Sequence, residues 1–446
     1  MNPREGALSV LYEINEKNAF SNIAINQELR NKPYKQLDRG LITELVYGVL
    51  ENQIYIDYII EQFSTYRIAK MNPYTLNLLR LGIYQLLFLD RIPGFAAVNE
   101  TVNLSKKYCK KTTGFINGVL RNIQRNRESI EFPCPEKNIV KYLSVRYSHP
   151  QWLVETFLNN FGEDFTAKLL KANNATPDLY VRINTLKIEI DDCIKLLIDE
   201  GYTVKQSPFI KEAVIVEGIH NIEQSNLYKK GYIQIQDFSS MLVAKILDPK
   251  EGNFIIDVCS APGGKATHMA QLMNNKGTII ARDIHDHKLK LVRENAERLG
   301  ITIIKTENFN GKDLDKNLLS RADRVLVDAP CSGLGIIRRK PEIKYRKQPA
   351  DIKSIMTIQY DILKNASRYL KLGGELVYST CTINPKENGD IVREFLDCNP
   401  DYTLIDISKE YEDFIPGKHT KSMIQLYPNI HNTDGFFISK IMRIMK

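Results

Sequence analysis

Three short stretches of this 446-residue chain carry residue types that could do chemistry together. The first is Asp257-Val258-Cys259-Ser260-Ala261-Pro262-Gly263-Gly264-Lys265, which follows an apolar run and opens an amphipathic stretch over 267–273. Glycines at a strand-to-helix turn let backbone N–H groups approach a ligand closely at a helix N-terminus. Asp283 closes the next apolar run, where a carboxylate can accept hydrogen bonds from ribose hydroxyls. The loop is neither G-x-G-x-x-G nor a Walker loop, so an adenosyl cofactor without a pyrophosphate fits it best.

The second stretch is Asp328-Ala329-Pro330-Cys331-Ser332-Gly333, directly after the strand-like 324–327, and the third is Ser379-Thr380-Cys381-Thr382, directly after 375–378. Each places a cysteine just past the carboxyl end of a strand, the rim where open α/β sheets bind ligands. Cysteines are also small hydrophobes that commonly end buried strands. Cys109, Cys134, Cys193 and Cys398 are read that way, and Cys259 is expected to pack within its loop rather than react. Two cysteines on one rim, one beside an aspartate and a proline turn, point to chemistry instead.

An adenosyl cofactor, thiols and an aspartate suit methyl transfer to an acceptor that is not nucleophilic by itself. The C5 carbon of a pyrimidine is one. A thiolate adding at C6 turns the C5–C6 edge into an enamine that attacks a methyl sulfonium, and Asp328 is placed to hydrogen-bond or protonate the N3 edge as charge develops. A base then removes the C5 proton and the thiolate leaves, so covalent catalysis divides one hard step into easier ones.

These stretches need a scaffold. Composition is that of a globular protein, with 43% hydrophobic and 26% charged residues. No apolar run approaches the ~18 residues of a membrane span; the richest, 78–89, is broken by Arg80 and Gln85. The start, Met1-Asn2-Pro3-Arg4-Glu5, lacks the apolar core of a secretory signal, and the chain reads as cytoplasmic. Seven cysteines form no C-x-x-C pair and no metal-like spacing with the seven histidines, so free thiols, a reducing compartment and no metal are expected. A net charge of +8 mildly favours an anionic partner.

Residues 1–130 read as an all-α domain of about five to seven helices. Leu8, Leu11, Tyr12 and Ile14 form one stripe, Leu41, Leu45, Val46, Val49 and Leu50 another, punctuated by Asn72-Pro73 and Ile92-Pro93-Gly94. Phe132-Pro133-Cys134-Pro135 reads as a linker. Residues 138–235 read as a small α+β module: helices near 150–160 and 164–173, a strand at 179–184, a helix at 189–200 and a strand at 213–216. From 236 to 446, strands at 254–258, 278–282, 302–305, 324–327 and 375–378 alternate with amphipathic helices, which argues a doubly wound, mostly parallel sheet.

The three chemical stretches resemble motifs I, IV and VI of the RNA cytosine-5 methyltransferase family. The resemblance extends to Gln236-Asp237, to Glu387-Asn388 and to Asp434-Gly435-Phe436-Phe437. Arg80-Leu81-Gly82-Ile83-Tyr84-Gln85-Leu86-Leu87-Phe88, Ala97-Val98-Asn99-Glu100 and Phe115-Ile116-Asn117-Gly118-Val119-Leu120-Arg121 resemble the NusB-like RNA-binding domain fused to the bacterial branch that acts on 16S ribosomal RNA. The resemblance implies a NusB-like domain, a ferredoxin- or RRM-like module and a Rossmann-like class I methyltransferase domain. It makes Cys381 the C6 nucleophile and Cys331 an aid to product release. It gives S-adenosyl-L-methionine to Cys259, Ser260, Ala261, Pro262, Gly263, Gly264, Lys265, Asp283 and Asp328. One departure stands out: after the third strand, where the family usually has an aspartate near the adenine, this chain reads Glu307-Asn308-Phe309-Asn310-Gly311. Asn310 is the better match and Asn308 its rival; an asparagine still accepts one hydrogen bond and donates another.

Lys106, Lys107, Lys110, Lys111, Arg121, Arg125 and Arg127, a stretch without acids after Glu100, are candidate phosphate contacts. So are Arg338, Arg339 and Lys340, just past the second cysteine motif. A C5 carbon inside a stacked helix is out of reach, so the base must be flipped or lie in an open loop. Trp152 and the tyrosines of 142–147 are read as packing. The expectation is thus a monomeric 16S ribosomal RNA (cytosine-C5)-methyltransferase, with no membrane and no metal. Two rivals remain: a transfer RNA cytosine-5 methyltransferase, opposed by the helical domain only by analogy, and a non-catalytic RNA-binding factor, opposed by the retention of both cysteines and the glycine loop.

Overall fold

The computed structural model describes residues 1–218, 222–407, 411 and 422–445. They fall into two compact units, Met1–Ala175 with Ile337–Arg346, and Thr176–Ile336 with Lys347–Lys446.

The first unit is helical. Asn2 and Asn72 cap Pro3–Lys17 and Pro73–Phe88 by accepting from the N–H of Arg4 and Tyr74, and each precedes a proline whose missing N–H costs nothing in a first turn. With Ser21–Asn31, Gln36–Glu51, Gln53–Phe63, Gly94–Tyr108 and Thr113–Arg125, the α-helices before residue 130 number seven. Their apolar stripes, Leu8, Leu11, Leu45, Val49 and Leu120 among them, close a single core. One crossing depends on Gly48, where a Cβ would lie 1.9 Å from Cζ of Tyr84. Ile139–Tyr147, Gln151–Phe161 and Glu163–Asn173 also belong to this unit, so the two helices read from sequence as opening the α+β module are grouped here. Hydrogen bonds hold them to the earlier helices: the Ile54 N–H donates to Ser148 Oγ at 2.8 Å, and Lys344 Nζ bridges the Glu51 carbonyl at 2.9 Å and Asn174 Oδ1 at 3.0 Å.

Lys344 comes from the returning segment Ile337–Arg346, which terminates three helices. Glu342 accepts from the Ser21 N–H at 3.0 Å, at the N-terminus of Ser21–Asn31. Arg346 donates to the carbonyls of Ile14 at 2.9 Å, Asn18 at 3.1 Å and Ala19 at 2.6 Å, around the C-terminus of Pro3–Lys17. Tyr345 and Lys344 satisfy Leu50 and Glu51 at the end of Gln36–Glu51. An anion at a helix N-terminus and cations at C-termini complement the helix dipoles.

The second unit begins with an antiparallel sheet of β1 (Tyr180–Ile183), β2 (Thr203–Gln206), β3 (Ala213–Glu217) and β4 (Ile233–Ile235), ordered β2-β3-β1-β4. The helix Ile190–Asp199 buries Cys193 and Leu197 against Val181, Ile183, Val214 and Val216. Sequence periodicity misses β2, largely exposed at the edge, and β4, too short to alternate.

The larger sheet contains β5 (Phe254–Asp257), β6 (Thr278–Asp283), β7 (Ile304–Asn308), β8 (Ala322–Asp328), β9 (Leu370–Thr380), β10 (Tyr402–Leu404), β11 (Met423–Leu426) and β12 (Phe436–Arg443). Strands β9-β8-β5-β6-β7 pair in parallel, and β12 adds antiparallel beside β9, with β10 and β11 on β12. Alternate side chains serve opposite faces. Ile255 joins a core with Phe238–Leu247, Gly264–Leu272 and Asp286–Leu299, while Ile256 joins one with Pro349–Ser367 and Gly389–Cys398. The sheet is doubly wound with an antiparallel edge. No helix among the described residues is long and apolar enough to cross a membrane.

His149 gives the first unit a pH dependence. It is fully buried; with Nδ1 protonated, it donates to the Tyr147 carbonyl at 2.6 Å while Nε2 accepts from Asn173 Nδ2 at 3.4 Å. Burial, then the Lys344 charge, hold it well below its ordinary 6.5. Below that pH the unfolded chain binds a proton that the folded one refuses, so stability falls as pH drops, by up to about 1.4 kcal/mol per pH unit. Glu51 of the same unit, raised to about 7 by burial, acts in the opposite sense over this range, so the His149 share is read as the difference in slope between the unaltered protein and His149→Gln in urea denaturation from pH 7 to 5; equal slopes in a folded variant would remove His149 as its source.

Candidate active site

The parallel register of β8 and β9 pairs Asp328 with Ser379, so the loops after these strands leave the sheet side by side. Sγ of Cys331 and Sγ of Cys381 are 3.1 Å apart. Ser379 Oγ donates to Asp328 Oδ1 at 2.9 Å, and Lys265 Nζ donates to Oδ2 at 2.7 Å. The glycine loop, the aspartate and the two thiols therefore lie together at the carboxyl ends of β5, β8 and β9.

The electrostatics separate these groups. Burial alone would lower the Lys265 pKa, but Asp328 and the neighbouring Cys381 and Asp257 outweigh it, so the ammonium is held above its usual range. Cys331 is pushed well above the ordinary thiol range by its hydrogen bond with Cys381, by burial and by nearby Glu387 and Asp328. It therefore stays a thiol. Cys259 is pushed up as well, by burial and by Asp257, Asp328 and Asp283, which fits a packing role. Lys265, which the resemblance gives only to the cofactor, also carries its charge near Cys381.

A buried carboxylate clamps the two cysteine loops. Glu387 accepts from the Ser332 N–H at 2.8 Å, Ser332 Oγ at 2.6 Å, Asn384 Nδ2 at 3.0 Å and Gln359 Nε2 at 3.3 Å. Ser332 Oγ is also 2.8 Å from Thr382 Oγ1, so the residues following each cysteine are tied to one group. Backbone contact completes the clamp: the Gly335 N–H donates to the Cys381 carbonyl at 3.0 Å and the Gly435 N–H to the Gly335 carbonyl at 2.8 Å. A Cβ on Gly335 would lie 1.9 Å from the Gly435 carbonyl oxygen, so only glycine fits there.

The loop after β5 fits an adenosyl group. The helix Gly264–Leu272 has no side-chain cap, which leaves its first-turn N–H groups for a ligand. Ser260 Oγ and both Asp257 oxygens are buried without hydrogen-bond partners, and burial, with Asp328 beside it, raises the Asp257 pKa to about 8. Gly263 has φ +98°, and a Cβ there would sit 3.1 Å from Cα of Val292. Asp283, at the end of β6, accepts from the His285 N–H through Oδ1 at 2.9 Å. Asn308 is spent on the Ile284 carbonyl at 3.1 Å, whereas Asn310 uses its oxygen on the Lys312 N–H at 3.1 Å.

Arg182, in β1, was missed by sequence reasoning. It is wholly buried, and it donates to the Gly264 carbonyl at 2.9 Å, to Thr267 Oγ1 at 3.0 Å and to Gln236 Oε1. Desolvation lowers its pKa to about 9. The available signal was an arginine on the inward side of an alternating strand. Glu387 was noticed only as part of a resemblance, Ser379 only as the start of the third stretch, and Gln359 had no signal at all.

The candidate phosphate contacts belong to the first unit and the thiols to the second. Lys106 and Lys110 are exposed, while Lys107 is paired with Glu5 at 2.5 Å. Arg338 is buried at 3% exposure, and Lys340 lies 5.5 Å from the Phe20 ring centre. All three residues of 338–340 belong to the helical first unit.

Three family descriptions match the chain in succession: NusB over residues 1–125, a ferredoxin-like domain of the methyltransferase RsmF/B type over 149–223, and 16S rRNA methyltransferase RsmB/F over 244–442. A probable ribosomal RNA small subunit methyltransferase B of Bacillus subtilis is 37% identical over 99% of this chain and 98% of its own length. The crystal structure of PH0851 superposes with a TM-score of 0.85 at 26% identity, covering 99% of both chains. That of NSun6 from Pyrococcus horikoshii, solved with SFG, has a TM-score of 0.60 at 25% identity, covering 67% of this chain and 99% of the other. Domain order and full-length identity agree: the chain belongs to the RsmB/F family of 16S ribosomal RNA methyltransferases.

Proposed function

We propose that this protein methylates C5 of a cytosine in 16S ribosomal RNA, using S-adenosyl-L-methionine and a covalent bond between Cys381 and C6. The observation that carries this reading is the pair of thiols 3.1 Å apart, beside the Lys265–Asp328 ion pair. The cofactor supplies an electrophilic methyl group when bound. Residues 259–265, Asp283, Asn310 and Asp328 would hold it, with Arg182 bracing the loop from beneath.

Cys381 adds to C6 as the thiolate, because Cys331 keeps its own proton and donates it toward Cys381 while the Lys265 ammonium balances the charge. Asp328, which accepts from Lys265 Nζ at 2.7 Å, passes a proton drawn from that ammonium to the N3 edge of the base as negative charge develops there. Cys331 acts after methyl transfer, when the C5 proton must leave and the C6–S bond must break. The exposed Lys106 and Lys110, with Lys111, Arg121, Arg125 and Arg127, add affinity for phosphates.

Denaturing gels with 16S ribosomal RNA and S-adenosylmethionine test the thiol roles. A slow-migrating thiol-linked complex should accumulate with Cys331→Ala and be absent with Cys381→Ala. The reverse pattern would exchange the two roles, absence in both would favour a non-catalytic RNA-binding factor, and a complex with transfer RNA alone would move the substrate.

Asp283→Ala should weaken binding of S-adenosylmethionine by roughly 1.5–3 kcal/mol through lost hydrogen bonds to a ribose. Calorimetry showing unchanged affinity in a folded variant would remove Asp283 from the site. Lys265→Met should slow alkylation of Cys381 by iodoacetamide at pH 7 roughly tenfold, because the reacting thiolate loses a nearby cation. Peptide mass spectrometry, with Cys134 as the exposed reference, reads this rate, and an unchanged ratio would mean that Lys265 does not support the thiolate.

A further inference from the structure

We infer that Glu387 is a positioning residue that sets the distance between the two thiols, and through it the release step of the reaction. The inference rests on the proposed roles of Cys381 and Cys331, but its geometry stands independently of them. Glu387 is 0% exposed, and its carboxylate accepts from neutral donors: Ser332 and Asn384 in the loops that carry the cysteines, and Gln359 from a neighbouring helix. The Ser332 N–H and Oγ come from the residue after Cys331. Asn384 and Thr382, which lies 3.5 Å from Glu387 Oε1, follow Cys381. Gln359, from the helix Pro349–Ser367, joins Glu387 to the Pro330 carbonyl at 3.0 Å, on the other side of Cys331. Both flanks of Cys331 and the strand exit behind Cys381 thus converge on one carboxylate.

A buried anion that accepts four donors is a rigid junction, because each donor loses its partner if any of them moves. Glutamine is nearly isosteric but replaces one acceptor oxygen with an N–H₂ group, which faces the Ser332 N–H or Gln359 Nε2 donor to donor. The Cys331 loop then retreats while Cys381, also held by the Gly335 N–H, stays. Attack on C6 survives and release is impaired.

The test uses the full-length protein. Diamide oxidises the two thiols to a disulfide: an S–S bond forms, and the two sulfhydryl protons and two electrons reduce the azo bond to a hydrazine. Trapping should be fast in the unaltered protein, at least roughly tenfold slower in Glu387→Gln and intermediate in Ser332→Ala, since ångström-scale misplacement of reacting atoms has effects of this order. Calorimetry should show unchanged cofactor affinity, and the RNA gel should show adduct accumulating in Glu387→Gln while kcat falls more than KM rises. Equal trapping rates in folded Glu387→Gln and the unaltered protein would overturn the inference. If Glu387→Gln lacks a cooperative melt, Ser332→Ala decides: slowed trapping supports the clamp, and an unchanged rate overturns it. Slowed trapping with no RNA adduct in any variant would leave the clamp standing and remove the proposed reaction.

Discussion

Two parallel strands side by side carry the reactive centre. Because β8 and β9 run in the same direction, their carboxyl ends leave the sheet at one edge, and the register that pairs Asp328 with Ser379 brings together cysteines 50 residues apart in sequence. A slip of one residue would turn Ser379 to the opposite face and separate it from Asp328. Every other contact in the site presupposes this register: the Lys265 ion pair, the Glu387 clamp, and the glycine backbones of residues 335 and 435 stacked behind Cys381.

The site gathers acidic groups. Asp328 and Glu387 lie beside the two thiols, burial raises Asp257 to about 8, and in a low-dielectric interior the cost of a charge is offset only by close partners. Lys265 meets Asp328, the loop donors meet Glu387, and Arg182 supports the cofactor loop through neutral acceptors. Cys331, with acidic neighbours and a thiol partner, is kept protonated. The two cysteines look alike in sequence and differ in their surroundings.

The helical unit is not assembled from the N-terminal sequence alone. Glu342, Lys344, Tyr345 and Arg346 close the ends of three helices whose remaining residues all precede Glu51 or coincide with it. A fragment ending before residue 337 would lack these partners. Arg338, which the sequence offers as a phosphate grip, is buried in the same segment.

Local patterns determined much of this. Helical stripes, the Asn-Pro cap at residues 72–73, the five parallel strands and the glycine turn follow from side-chain period and backbone preference, which act over a few residues. Cys331, Cys381, Asp283 and Asp328 were legible because strand ends in an alternating α/β pattern define a rim. What no local pattern contains is which ends become neighbours. The antiparallel addition of β12 beside β9, the edge strand β2, and the grouping of residues 139–173 with the first unit depend on long-range packing. So do the Lys265–Asp328 pair, the Arg182 support and the convergence on Glu387: each is a buried polar group that must find a partner far away in sequence. Desolvation makes that partner obligatory, and only the folded chain decides which one it is.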